Sequence, residues 1–182
     1  MSDPISALNG ASFHGFADIQ EIGPLGMVML RCKHDVKALP KAIKSAVGMA
    51  MPAPRQMVKD GAFAAAWMAP DELLLIMPYD QVANVLEGLA KSLKAEHHLA
   101  VDVSDARAVF RITGDKAAQV LTKLTPADLN ALQPGEIRRS RVAQVAAAFW
   151  AEDGGFSLVC FRSVATYVMG LLTHSAQPGS DF

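Results

Sequence analysis

Apolar and polar positions follow a distinct order in the first half of the chain. The apolar run at residues 24–31 predicts a strand, and residues 35–48 predict a short helix that contains Pro40. A proline-containing stretch at residues 51–58 indicates a loop. Apolar segments on both sides of a turn at residues 69–71 then predict a β-hairpin.

A longer amphipathic helix is predicted after the hairpin, at residues 80–97. Its apolar residues recur at the spacing of one helical face and are Val82, Val85, Leu86, Leu89 and Leu93. Asp80 stands where a carboxylate can accept a hydrogen bond from a free N–H group of the first turn. We therefore expect Asp80 to be the N-cap of this helix.

The second half repeats the same order. A strand, a helix, the two arms of a hairpin and a final helix are predicted at residues 106–113, 115–124, 141–152, 155–161 and 163–176. Ser163 is the expected N-cap of the last helix. Between the first helix and the hairpin, LTPADL offers Thr125 as an N-cap and Pro126 at the first helical position, which predicts a single helical turn.

The hairpin and helix of the two halves can be aligned with each other. AAAWMAPDELLLIMPYDQVANVLEGL matches AAAFWAEDGGFSLVCFRSVATYVMGLL with one extra residue at the turn. We interpret this match as an internal duplication; the alternative is chance similarity between two amphipathic segments. Antiparallel hairpins with segregated helices predict an α+β fold of duplicated strand–helix–hairpin–helix units with an antiparallel or mixed sheet. A single sheet shared by both halves would bury the apolar strands on both faces.

The predicted organisation is one compact domain with four parts. They are an N-terminal leader, a first repeat half, a second repeat half and a C-terminal tail, at residues 1–23, 24–98, 99–176 and 177–182.

Composition narrows the classes of function. Hydrophobic residues make up 51% of the 182 residues and charged residues 19%, which is apolar for a lone soluble monomer and predicts surface patches that need a partner. The net charge of −1 is not the basic footprint of a nucleic-acid-binding protein. The longest apolar stretch, around residues 142–151, is far shorter than a membrane-spanning helix of about 20 residues. We therefore expect neither nucleic acid nor membrane as a partner.

The N-terminal residues and the cysteines indicate the compartment. The first ten residues, MSDPISALNG, lack the basic and apolar segments of a signal peptide. Cys32 and Cys160 are far apart in sequence and form neither a disulfide framework nor a CxxC site. A reducing cytoplasm is the simplest expectation.

The turn in VFRITGDKAAQVLTKL raises the question of phosphate binding, because a strand reaches a glycine and becomes a helix. A dinucleotide-binding loop needs several glycines and a P-loop needs GxxxxGK[ST], and neither motif is present in this chain. Asp115 follows Gly114, and its carboxylate would cap the helix and repel a phosphate. We therefore expect Gly114 to bend the chain and Asp115 to cap the helix.

Few residues are candidates for catalysis or metal binding. No two histidines have the spacing of four that places two ligands on one helix face, and the adjacent pair His97–His98 lies at a predicted helix end. Cys32 and His34 could form a nucleophile pair with Asp35 as the orienting group, although small buried cysteines are the favoured interpretation. The acidic residues grouped in predicted turns or strand ends are interpreted as solvated charges; they are Asp71, Glu72, Asp102, Asp105, Glu152 and Asp153.

Arginines are the remaining candidates, as a partner interface. Arg139 and Arg141 would share one face of a strand, with Arg138 on the other, and could bind a carboxylate or an acidic surface. Equally, such charges protect an edge strand from further pairing. Arg111 and Arg162 interrupt apolar strands and need partners, and another subunit must supply these partners if the chain does not.

An ordered set of segments in the second half resembles a known family. The segments are RITG, LTKLTPADL, PGEIRRSRV and FSLVCFRSVATY, and the similarity is strongest over residues 106–176 and collinear from about residue 24. The chain thereby resembles the gamma subunit of heterotetrameric sarcosine oxidase, a family similar in fold to the folate-binding aminomethyltransferase (glycine-cleavage T-protein) superfamily.

The resemblance implies a noncatalytic subunit that serves the assembly and stability of a complex with alpha, beta and delta subunits. Such a complex demethylates sarcosine oxidatively to glycine, forms hydrogen peroxide and passes the one-carbon unit to tetrahydrofolate. FAD, FMN, NAD, tetrahydrofolate and zinc are expected on the other subunits, with no cofactor, metal or catalytic residue in this chain. The KGCY-x-GQE-type segment of the folate-binding relatives is absent, and GEIRRSRV stands in the corresponding place.

Two alternatives remain open from the sequence. One is an independent folate-binding or carboxylate-binding enzyme of the aminomethyltransferase type, for which Arg139 and Arg141 would provide the binding groups. The other is a free-standing homodimeric regulatory module, in which the same apolar surface would pair with itself.

Overall fold

The computed structural model describes residues 4–182, and within them the chain forms strands, α-helices and short 3₁₀ turns. The strands are β1 (Ser12–His14), β2 (Asp18–Ile22), β3 (Gly26–Cys32), β4 (Met57–Asp60), β5 (Phe63–Ala69), β6 (Glu72–Met77), β7 (His98–Asp102), β8 (Arg107–Thr113), β9 (Ile137–Val142), β10 (Val145–Glu152) and β11 (Gly155–Phe161). The helices are α1 (Leu39–Val47), α2 (Val82–Ser92), α3 (Ala117–Thr122) and α4 (Ala165–Ser175). Among these described residues, no helix combines the length and apolarity that crossing a membrane requires.

The elements form two compact units with one sheet each. The first unit combines the described residues up to Pro24 with Asp105–Phe182, and the second is Leu25–Ser104. The first has the strand order β1-β2-β8-β11-β10-β9, and the second has β4-β5-β6-β3-β7. Every pairing in both sheets is antiparallel.

The topology of the two units is the same apart from one strand. Each unit runs strand, helix, three consecutive antiparallel strands and helix, and β3, β4, β5 and β6 of one correspond to β8, β9, β10 and β11 of the other. The next strand in each sheet, β7 or β2, pairs with β3 or β8 respectively. This shared order supports the internal duplication, and the α+β class with antiparallel sheets is confirmed.

The core of the Leu25–Ser104 unit lies between its sheet and two helices. β6 is buried along its whole length, as expected for the continuous apolar sequence ELLLIM in a central strand. Leu39 and Ile43 of α1 and Leu89 of α2 are fully buried in the same cluster as Leu75 of β6. Pro40 stands in the first turn of α1, where its missing N–H costs no helical hydrogen bond.

The core of the other unit also lies on one face of its sheet. Phe110 of β8, Phe149 of β10 and Leu158 of β11 are fully buried with Val168 and Leu172 of α4. Alternate residues of these strands point to this cluster, which is the period of two expected for a sheet covered by helices on this face.

A buried carboxylate fixes the segment that precedes β1. Glu21 of β2 is 1% exposed. It accepts hydrogen bonds from the Ser6 hydroxyl (2.8 Å), the Leu8 N–H (3.0 Å) and the Gly10 N–H (2.9 Å). The residues expected to form a polar leader therefore contain two strands of the sheet and a segment that is held to it.

Several predicted boundaries differ from the structure. The idea of one sheet shared by both halves is wrong, because the strands form two sheets. Part of the predicted loop is strand β4, and the residues predicted as one arm of a hairpin, 141–152, form the end of β9, a turn and β10. The helix predicted at 80–97 ends at Ser92 in α2, and His98 begins β7, which pairs with β3. The division predicted at residue 98 accordingly differs from the observed boundary between Ser104 and Asp105.

The predicted caps also differ. Asp80 and Ser163 lie inside the 3₁₀ turns Tyr79–Gln81 and Arg162–Val164 that precede α2 and α4, and neither helix has a side-chain cap. Asp115 does not cap α3, whose N-cap is Lys116. Thr125 accepts a hydrogen bond from the Ala127 N–H (3.3 Å), but no helical turn follows. At Asp80 and Ser163 a 3₁₀ turn therefore stands where the sequence predicted a cap.

Candidate partner interface

Arg111 of β8 finds its partners within the chain. Its guanidinium lies 3.4 Å from a carboxylate oxygen of Glu152 and donates to the Ser157 hydroxyl (3.4 Å) and to the Asp153 carbonyl. Both side chains of the ion pair are largely buried, at 22% and 17% exposed. Glu152 also accepts a hydrogen bond from the Trp150 indole (2.7 Å). The expectation that Glu152 is a solvated turn charge is wrong, and Arg111 does not depend on another subunit for its partner.

Arg138 and Arg162 are also satisfied locally. Arg138 donates two hydrogen bonds, of 3.1 Å and 2.7 Å, to one oxygen of Glu136, a carboxylate that is 3% exposed. Arg162 donates to the carbonyls of Ile5 (3.0 Å) and Ser6 (3.2 Å) and so holds the N-terminal segment. The expectation that another subunit must supply missing partners therefore applies to neither Arg111 nor Arg162.

Arg139 and Arg141 differ from the other three arginines because both are exposed on β9. As predicted, they share one face of a strand while Arg138 lies on the other face. β9 is the last strand of the six-stranded sheet, so the charges also stand where they discourage pairing with a further strand. Both interpretations from the sequence are compatible with this position.

The strand register brings Arg141 into a row with three residues that sequence reasoning did not select. Arg141 pairs with Ala146 of β10, and Arg107 of β8 pairs with Phe161 of β11. Ala147 pairs with Cys160, so the next step along both strands places Ala146 beside Phe161. We call Arg107, Phe161, Ala146 and Arg141 the terminal row. Residues paired across strands share a face, and three strand spacings give the row a length of about 14 Å.

The terminal row combines cationic and aromatic groups at the surface. The Arg107 guanidinium stacks over the Phe161 ring at 4.1 Å from the ring centroid, and Phe161 is 49% exposed. Arg162 follows Phe161 directly, and Arg139 lies on the same face of β9 as Arg141. Arginine and aromatic side chains are enriched at the centres of protein interfaces. This arrangement is suited to a partner that places carboxylates around an apolar group.

Only part of the terminal row could be predicted from the sequence. Phe161 and Arg107 stand more than fifty positions apart in the chain, and their contact depends on the β8–β11 register. The sign available in the sequence was a phenylalanine at the end of a predicted strand, directly before Arg162.

Cys32 and His34 do not form a nucleophile pair in the described structure. The His34 Nδ1 atom accepts a hydrogen bond from the Trp67 indole N–H (3.1 Å). Burial lowers the pKa of His34, with Asp71 opposing that effect. Burial, and then the charges of Glu96 and Asp35, raise the pKa of the Cys32 thiol. A raised thiol pKa disfavours the reactive thiolate, which agrees with Cys32 as a buried core residue.

Cys160 is buried in the core of its unit, where burial raises the pKa of its thiol to about 12 against a smaller opposing effect of Arg107. The two cysteines are therefore poor nucleophiles at neutral pH.

The glycine turn after β8 is closed by its own hydrogen bonds. The Gly114 N–H donates to the Gly154 carbonyl (3.0 Å), and the Ala117 N–H donates to the Gly114 carbonyl (3.0 Å). Gly114 has a φ of +118°, which favours glycine. An open depression of about 560 Å³ is lined by this turn and by the turn at Gly154 and Gly155, and the exposed Asp115 is part of its lining. The occupied N–H group and the carboxylate agree with a structural turn.

The remaining candidates stay apart. His98 lies in β7 with its Nδ1 atom 3.1 Å from the Glu96 carbonyl, and His97 precedes the strand. Glu72 is 9% exposed and lies 3.8 Å from Arg31, so it is not a solvated charge either. Among residues 4–182, no group of three or more histidine, cysteine, aspartate or glutamate side chains is placed to hold a metal ion.

Comparisons with known proteins identify both family and fold. The sequence matches the family model described as "Sarcosine oxidase, gamma subunit family" over residues 31–177. The structure is similar to a chain of the heterotetrameric sarcosine oxidase from Corynebacterium sp. U-96 in complex with pyrrole 2-carboxylate. The TM-score is 0.79 at 23% identity, and the match covers 88% of this chain and 83% of that chain. No curated protein matches the sequence significantly.

A second similar structure is the glycine cleavage system aminomethyltransferase T from Bartonella henselae. The TM-score is 0.65 at 13% identity, covering 87% of this chain and 45% of that chain. The chain therefore spans less than half the length of this aminomethyltransferase. The two structures confirm the predicted aminomethyltransferase-like α+β fold.

Proposed function

Because the chain belongs to the sarcosine oxidase gamma subunit family, we propose that it is a noncatalytic subunit of a heterotetrameric sarcosine oxidase. Its partners are the alpha, beta and delta subunits, and the complex demethylates sarcosine to glycine with formation of hydrogen peroxide and transfer of the one-carbon unit to tetrahydrofolate. The observation that carries the proposal is the family match over most of the chain.

The role assigned to this chain is assembly and stability. FAD, FMN, NAD, tetrahydrofolate and zinc belong to the other subunits in this proposal. The chemistry of this chain supports that division, because burial raises the pKa of both thiols and Arg111 and Arg138 are engaged by neighbouring carboxylates. The two cysteines are unpaired, which suits a reducing cytoplasm.

The terminal row, with Arg139 and Arg162 beside it, is the surface we assign to the partner. Phe161 provides an exposed aromatic group in contact with one guanidinium, and Arg141 is exposed at the far end of the row. A buried aromatic anchor surrounded by charge-assisted hydrogen bonds is the usual centre of a specific interface. Arg111 and Arg138 stabilise the strands on which the row stands and make no contact with the partner in this proposal.

The test is recovery of the other subunits with a tagged chain that carries Arg141→Glu or Phe161→Ser. We expect each variant to recover at least tenfold less of the partner subunits than the wild-type chain does, because a central truncation or charge reversal costs about 2 kcal/mol or more. Lys41→Glu, a charge reversal at an exposed position of α1, is the matched control and should recover wild-type amounts. Unchanged recovery with both row variants would refute the assigned surface.

A separate measurement tests the noncatalytic role. The purified chain alone should release no sarcosine-dependent peroxide and should give no heat on titration with tetrahydrofolate. Activity of the chain alone would refute the proposal, and saturable folate binding would favour the independent aminomethyltransferase-like alternative.

A further inference from the structure

The edge strands of the two sheets differ in how they are protected from further pairing. β1 has only three residues, β9 carries three arginines, and β4 ends in exposed Lys59 and Asp60. β7, with the sequence HLAVD, contains no lysine, arginine or proline, and its one carboxylate, Asp102, stands at the end of the strand. Its Leu99 is 54% exposed and Val101 is 40% exposed. β7 is therefore the edge best suited to pairing with another strand.

The internal duplication indicates where that strand would lie. β7 and β2 are counterparts, because each pairs antiparallel with the first strand of its repeat. The outer side of β2 is covered by β1, also antiparallel. In the part of the chain that the structure describes, no strand covers the outer side of β7. Among the described residues, β1 therefore occupies an edge position in the first unit that no strand occupies in the Leu25–Ser104 unit.

The hydrogen bonds between β7 and β3 show which backbone groups of β7 point outward. The Val103 N–H donates to the Met27 carbonyl (2.8 Å), at the end of the ladder in which Val101 pairs with Met29. Backbone groups alternate in direction along an antiparallel strand. Leu99 and Val101 therefore bond to β3, and the intervening residue Ala100 directs its N–H and C=O groups outward, as do the strand ends at 98 and 102.

This strand is complementary to itself. In a second copy placed antiparallel about a twofold axis at Ala100, His98 lies opposite Asp102 of the copy, and this pair occurs twice. Leu99 lies opposite Val101 of the copy, and the two apolar side chains share a face. The His98 Nδ1 atom donates to the Glu96 carbonyl (3.1 Å), so the Nε2 atom can donate to the Asp102 carboxylate of the copy only when both ring nitrogens carry protons. The Asp102 Oδ1 atom accepts hydrogen bonds from the Ser104 N–H (2.9 Å) and hydroxyl (2.5 Å), which leaves the Oδ2 atom for this contact. The three outward-facing positions then exchange backbone hydrogen bonds with their own counterparts.

We propose that the isolated chain forms a twofold homodimer in which β7 pairs with β7 of a second copy. The imidazole–carboxylate pairs select this register, because a slip by one residue would place apolar side chains opposite the charged ones. The inference concerns the Leu25–Ser104 unit and does not rest on the proposed function, whose surface lies in the other unit.

Cysteine cross-linking tests the register. Leu99→Cys and Val101→Cys are prepared as two separately tagged samples. In the proposed dimer their thiols lie at opposing positions, and the two Cα atoms are about 4.5 Å apart, a distance that a disulfide can bridge. In a dimer of one variant alone, the two identical cysteines are two positions out of register, so their Cα atoms are about 8 Å apart. Under mild oxidation, a mixture should form the mixed disulfide, and each single variant should not. The native cysteines are buried and give little background.

Two results would overturn the proposal. One is the absence of a mixed disulfide, or equal cross-linking in every combination, from variants that retain the wild-type melting temperature. The other is cross-linking of the same thiols to a different polypeptide in the assembled complex but never between copies, which would assign the edge to a heterologous partner. Ala100→Pro provides an independent readout, because it removes an outward N–H that β3 does not use. Light scattering should give at least tenfold weaker dimerisation for this variant.

Discussion

Replacing Arg111 with methionine should destabilise the chain without weakening its binding to partner subunits. The substitution keeps an apolar stem and removes the guanidinium, which contacts Glu152, Ser157 and the Asp153 carbonyl. A hydrogen bond to a charged group contributes about 1.5–3 kcal/mol. Because both partners are about one-fifth exposed, solvent screening reduces the expected loss to about 1–2 kcal/mol. For a chain of this size, that loss lowers the melting temperature by about 2–8 °C.

The assay is thermal unfolding of the wild type, Arg111→Met, Glu152→Gln and the double variant. The coupling energy from the double-mutant cycle should be about 1 kcal/mol, since the two side chains contact each other directly. Recovery of partner subunits below the melting temperature should match the wild type. An unchanged melting temperature together with lost partner binding would refute the reasoning, because it would place the functional partner of Arg111 outside the chain.

Three further predictions concern side chains that are wholly or partly buried. Glu21→Ala should cost about 2–3 kcal/mol and should expose residues 6–10 to limited proteolysis, because three donors lose the carboxylate that accepts from them. Cys160, with a pKa of about 12, should be only about one part in ten thousand thiolate at pH 8 and should react with a thiol reagent only after unfolding. His34 has a pKa below its ordinary value of 6.5, so the unfolded chain binds its proton first as the pH falls. Stability should therefore decline below about pH 6.5, and His34→Gln should reduce that decline in unfolding titrations; an identical pH profile would contradict the assignment.

The sequence was sufficient for the elements with strong periodicity. The apolar run of β6 and the stripe of α2 appear in the structure where the pattern places them, because buried central strands and amphipathic helices have unambiguous patterns. Short edge strands were missed. β1, β4 and β7 have three to five residues each, and their pairing depends on contacts distant in the sequence.

The candidate site was partly predictable for the same reason. Arg139 and Arg141 are correctly placed on one strand face, because that follows from alternation alone. The internal partners of Arg111 were not predictable, since Glu152 approaches it across the β8–β11–β10 register. The contact of Arg107 with Phe161 depends on the same register.

The most direct test of the central claim is purification of the tagged chain from its native host under gentle conditions. We expect a yellow complex that contains three other chains and releases peroxide when sarcosine is added. A colourless species that contains only this chain, under conditions in which a control complex stays intact, would contradict the assignment of this chain as a subunit of a sarcosine oxidase.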